Sequence, residues 1–107
     1  MAEVLTIDEL RSRIDMIDDK LVRLLNVRVA CAVEVGRLKH EAGQPIYQPD
    51  REAQVLTKVR ASATELAGPL EAEAVVRIFE RVIDEARRAE RIASSRRDGV
   101  AETGSEV

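Results

Sequence analysis

A chain of 107 residues has room for one domain, but with one Phe, one Tyr and no Trp among its 45% hydrophobic residues a thick monomeric core is not expected. Charged residues make up 35%, the net charge is −3, and acidic and basic positions alternate, which excludes a basic footprint for nucleic acid and, with so few aromatics, base stacking. One cysteine, Cys31, and one histidine, His40, exclude an intrachain disulfide and a Cys/His metal site.

The N-terminal residues show no basic region followed by an apolar run. Nothing approaches the roughly 18 consecutive apolar residues of a membrane span. The expected compartment is the reducing cytoplasm. Thr6-Ile7-Asp8-Glu9 then reads as a capping box, in which the Thr6 hydroxyl takes the amide of Glu9 and the Glu9 carboxylate returns to the amide of Thr6. Apolar positions follow at Leu10, Ile14, Ile17, Leu21 and Leu24, and again at Cys31, Val35 and Leu38, in steps of three and four. Gly43 and Pro45 stop the pattern, so a first helix is expected over residues 7–42. At about 1.5 Å per residue it would be about 50 Å long, against a radius of gyration near 13 Å for a compact chain of this size. It must overhang its own domain, and a second copy about a two-fold axis is the simplest cover for its seam.

A short loop over residues 43–48 leads to Pro49, well placed to open a second helix with Asp50, Arg51 and Glu52 in its first turn and Val55, Leu56 and Val59 facing inward. That helix should end before Gly68. Pro69 favours a third start with Leu70, Glu71 and Glu73 near its beginning, and its inward stripe runs through Val75, Ile78, Val82 and Ala86, with Phe79, Ile83 and Glu90 alongside. The periodicity stops after Ile92. Residues 1–93 are therefore expected to form one all-α domain of three helices, with a disordered tail at 94–107.

Arg28 stands where the seam calls for an apolar side chain, and Lys39, eleven positions on, lies about 20° away on the helical wheel and roughly 16 Å along the axis. Ala32, Val35 and Gly36 lie between them. This arrangement suits a small molecule with two anionic or polar ends. The competing reading makes Arg28 a register device or ion-pair member and Lys39 a solvated lysine of the last turn. Asp50 and Glu52 read more readily as helix-dipole partners than as catalysts, whereas Glu90 reads as inward-facing, with a surface acid paired with Arg87, Arg88 or Arg91 as the alternative. Arg11 is about 100° from Arg28 on the wheel, so one helix cannot aim both at one ligand; Arg11 would serve the pocket of a partner. No Ser or Cys is matched with a base and no glycine-rich phosphate loop is present, which disfavours covalent and phosphoryl-transfer chemistry. Positioning and electrostatic stabilisation remain.

Leu10-Arg11 with Ile14-Asp15 and Ile17-Asp18, then Arg28 followed by Ala32-Val33-Glu34-Val35-Gly36 and Lys39, then Pro49-Asp50-Arg51-Glu52 with Val55-Leu56, together resemble the all-helical chorismate mutase family over residues 5–92. The resemblance implies a three-helix protomer, an intertwined homodimer with two pockets, and the rearrangement of chorismate to prephenate without a cofactor or metal. It further implies that Arg28 binds one substrate carboxylate, that Arg11 of the other protomer binds the second, that Lys39 donates to the ether oxygen, that Glu52 accepts from the ring hydroxyl, and that Arg51 lines the pocket. Three positions depart from the family's usual pattern: Gln48 where an acid is common, Ala86 where a hydroxyl is common, and Glu90 where Gln is common. Sibling helical enzymes acting on isochorismate or aminodeoxychorismate share the fold and its paired cations, and a non-catalytic helical dimer is the third reading.

Overall fold

The computed structural model describes residues 4–45 and 47–105, with side chains through Gly99; Ile46 of the expected loop and residues 106–107 of the expected tail lie outside the described residues. The chain forms three helices, α1 (Ile7–Glu41), α2 (Pro49–Leu66) and α3 (Ala72–Ser105), and no strand occurs among the described residues.

The capping box opens α1: the Glu9 amide donates to Thr6 Oγ1 at 3.1 Å and the Thr6 amide donates to Glu9 Oε2 at 2.9 Å. Gly43 closes it with φ +70°, a left-handed conformation that a side chain disfavours, while the Gln44 amide donates back to the Lys39 carbonyl at 2.8 Å. Pro49 is the first residue of α2, where its missing N–H costs nothing. The helix ends at Ala67, which itself takes the left-handed position (φ 52°) one residue ahead of Gly68.

Two expectations for α3 change. Pro69 and Leu70 form a bend, and the helix begins three residues after the proline, with the Val75 amide donating to the Glu71 carbonyl at 3.1 Å. At the other end, the stretch from Ser94 that was expected as a disordered tail carries helical backbone to Ser105. It contains no proline, its Ala and Arg residues favour helix, and an existing helix extends at low cost without an apolar stripe.

α3 packs against both other helices, whereas α1 and α2 do not pack on each other. Arg60 pairs with Glu73 at 2.7 Å and Arg87 with Glu52, so α2 and α3 run antiparallel. Arg28 lies over the Phe79 ring at 5.9 Å and Gly36 faces Glu90, so α3 runs parallel to α1. Having neighbours on two sides broadens the buried face of α3: Val76, outside the expected stripe, is buried with Ala86, while Ile78, inside it, is half exposed.

The face of α1 that meets α3 is the set Val29, Ala32, Val33 and Gly36 rather than the predicted seam. Leu10, Ile14, Ile17, Leu21 and Leu24 all stand exposed, and no large side chain is fully buried anywhere among the described residues. The molecule is correspondingly extended, measuring 70 × 31 × 17 Å with a radius of gyration of 19.1 Å. No helix among the described residues is long and apolar enough to cross a membrane.

Candidate active site

Because α1 and α2 are both held by α3 without touching each other, a cavity of about 260 Å³ lies between them. α1 supplies Arg28, Ala32, Val35 and Lys39; the connecting loop supplies Tyr47 and Gln48; α2 supplies Arg51 and Glu52; α3 forms the floor with Ala86, Arg87 and Glu90. Short and apolar side chains, Ala32, Val35, Val55, Ile83 and Ala86, separate the charged ones.

Arg28, Lys39 and Arg51 make no ion pair with any carboxylate among the described residues. Arg28 rests instead on the face of Phe79, a contact that steadies a guanidinium without neutralising it. Arg87 is different. Its Nη2 donates to Glu52 Oε1, its guanidinium lies over the Tyr47 ring at 5.1 Å, and the two charged side chains are only 33% and 23% exposed. Glu52 holds the Arg87 guanidinium above its ordinary pKa.

Glu90 faces inward. It lines the cavity and its carboxyl lies beside Gly36, a glycine with room for the approach. Burial pushes its pKa up from 4.5, further assisted by Glu52 and opposed by Lys39, Arg87 and Arg91. Desolvation therefore outweighs the neighbouring cations. Protonated, Glu90 can donate a hydrogen bond beside Lys39; ionised, it can only accept.

Seven of the eight residues singled out in the sequence, Arg28, Lys39, Gln48, Arg51, Glu52, Ala86 and Glu90, surround this one cavity. Arg11 does not: it lies seventeen residues before Arg28, about 25 Å away along α1, and is exposed. Arg87 and Tyr47 were not singled out as site residues. Their contacts join residues 35 and 40 apart in sequence, across the α2–α3 hairpin and its preceding loop, and no local spacing signals such pairs. Cys31 also lines the cavity, but no histidine does, so the site lacks the paired base that nucleophilic catalysis needs. What such a lining can do chemically is pair with anionic groups of a small molecule and stabilise charge that shifts within it.

The family model for chorismate mutase type II matches residues 10–91. The chain belongs to that family. The region from Leu10 to Arg91 holds every cavity residue named above, together with Arg11. Among curated relatives, a bifunctional chorismate mutase/prephenate dehydratase from Neisseria gonorrhoeae (strain ATCC 700825 / FA 1090) is 40% identical over 90 residues, covering 80% of this chain and 24% of that protein. One of the same description from Aquifex aeolicus (strain VF5) is 38% identical over 76 residues, covering 70% of this chain and 21% of the relative. A chorismate mutase from Methanocaldococcus jannaschii is 36% identical over 52 residues, covering 49% of this chain and 52% of the relative. The chain thus spans about a quarter or less of the length of the bifunctional relatives. No solved structure matches it at a significant level.

Proposed function

We propose that this chain catalyses the rearrangement of chorismate to prephenate, with the domain at residues 1–93 carrying the reaction. The observation that carries this reading is the convergence of three cations with no carboxylate partner among the described residues, Arg28, Lys39 and Arg51, on a cavity that also holds Glu90, whose carboxyl pKa is raised by burial. The reaction breaks one carbon–oxygen bond and forms one carbon–carbon bond within a single molecule, so no proton, electron or group is exchanged with the protein. Arg28 binds a substrate carboxylate, Glu52 accepts from the ring hydroxyl, and Arg51 and Gln48 line the pocket. Lys39 and protonated Glu90 donate to the ether oxygen as negative charge gathers there, where preorganised donors have most effect.

The active form in this reading is a homodimer in the reducing cytoplasm. A second copy covers the exposed Leu10–Leu24 stripe of α1 and delivers its own Arg11 to the second substrate carboxylate. The test is to incubate the protein with chorismate, follow its loss and identify the product. Prephenate is expected. Pyruvate and salicylate from isochorismate, or a rearranged amino product from aminodeoxychorismate, with chorismate untouched, would assign the chain to a sibling reaction. A folded dimer inert to all three would make it a binding module.

A further inference from the structure

The cavity is lined by four cations and two acids, and its loading with a dianion depends on which of them pair with one another. Glu52 projects into the same space as Lys39 and Arg51, either of which could draw its carboxylate, and any such pair would consume a charge that the ligand needs. That collapse does not occur, because Arg87, one turn before Arg91 on α3, engages Glu52 through Oε1 and leaves its second oxygen without a hydrogen bond from the described residues. The same guanidinium stacks on Tyr47, which lines the cavity from the connecting loop. Asp84, 4.0 Å from Arg87 Nη2, adds a weaker hold from the same helix.

We propose that Arg87 is a positioning residue: by clamping Glu52 it keeps the other cavity cations available to the ligand, and by stacking on Tyr47 it ties the connecting loop to α3 beside the cavity. This rests on the chorismate reading for its kinetic arm only. The two contacts use different properties of the guanidinium, its charge and its flat face, and a lysine retains the first without the second.

The test takes the intact chain with Arg87→Met and Arg87→Lys. Tyr47 is the single tyrosine and there is no tryptophan, so ultraviolet-excited protein emission reports that residue alone. Quenching by acrylamide should rise about twofold or more in both variants as the ring undocks. With chorismate, Arg87→Met should raise KM about tenfold with a much smaller change in kcat, because the Glu52 contact it secures is made in ground and transition states alike. Arg87→Lys should recover most of that KM. In a Glu52→Gln background, Arg87→Met should add almost nothing, since the clamp has lost its object.

Unchanged Tyr47 quenching refutes the loop tie. Equal KM penalties with and without Glu52, or a loss confined to kcat and melting temperature, refute the clamp in favour of direct ligand binding or a purely structural role. Wild-type protein that leaves chorismate unaltered refutes the catalytic reading, and the Tyr47 measurement then decides the loop tie by itself.

Discussion

Glu90 lays its side chain against the bare backbone of Gly36: a Cβ built on that glycine would stand 3.5 Å from Glu90 Cγ and 3.6 Å from Oε2. These are ordinary contact distances, so an added methyl group fits and displaces water from the carboxyl. Gly36→Ala should therefore do two things. Removing a mid-helix glycine should stabilise the protein by about 0.5–1 kcal/mol, read from denaturant unfolding. Further desolvation of Glu90 should move the alkaline limb of its pH–activity profile to higher pH.

That limb is itself a prediction. Burial raises the folded pKa of Glu90 above 4.5, so the protonated, donating form persists to higher pH than on an exposed glutamate and is lost as pH rises through that raised pKa. Chorismate turnover should decline through this window, and Glu90→Gln, whose amide donates at every pH, should flatten the decline. Catalytic efficiency measured from about pH 5 to 9 checks it; superimposable profiles for the two proteins would remove Glu90 from the reaction.

Arg28 and Lys39 face the cavity without a counter-ion among the described residues, one near each end of its α1 wall. Replacing either by Ala should lower kcat/KM by on the order of 10² or more while leaving the helical content intact by circular dichroism. If Arg28→Leu raised the melting temperature and left turnover unchanged, Arg28 would be a tolerated polar interruption of a packing seam.

Arg11 lies far from the cavity of its own protomer, at the exposed end of a helix that overhangs the fold. Subunits bearing Arg11→Ala, mixed with subunits bearing Arg28→Ala, should form heterodimers with one intact site and recover part of the activity. Verified heterodimers that remain inactive would exclude a site shared between protomers.

Ala67 holds the left-handed position at the end of α2, with φ 52°. A Cβ there strains the backbone, and glycine would relieve it. Ala67→Gly should gain about 0.5–1 kcal/mol in chemical denaturation, with catalysis unchanged because the residue lies at the far end of α2 from Arg51 and Glu52.

Features visible in the sequence were those written within a few neighbouring residues. The Thr6–Glu9 box, the Gly43 stop and the Pro49 start each act over a single turn, and all three occur where their spacing places them. The stripe containing Arg28 and Lys39 could also be traced, because helical periodicity maps sequence onto a surface. Choice of partner is not local. Two apolar faces of α1 compete for α3, and the one with Ala32 and Gly36 wins, since small residues permit close approach of the helices while the larger Leu and Ile residues remain outside. Arg87 was legible only as a neighbour of Glu90 on the same helix; its engagement of Glu52 depends on how α2 folds back along α3.

Because α1 and α2 meet only by way of α3, the structure divides into a sequence-local hairpin and a long helix that must dock onto it from outside. Hairpin contacts such as Arg60–Glu73 close a short connection, whereas those of α1, Arg28–Phe79 and Gly36–Glu90, span about half of the chain, and the entropic cost of loop closure grows with that span. Refolding from denaturant should accordingly restore helical ellipticity in an early phase and the ability to convert chorismate in a later one. The catalytic site would then be a kinetic latecomer, assembled when the last helix arrives; rapid-mixing traces of ellipticity and turnover that coincide would show that both form in one step.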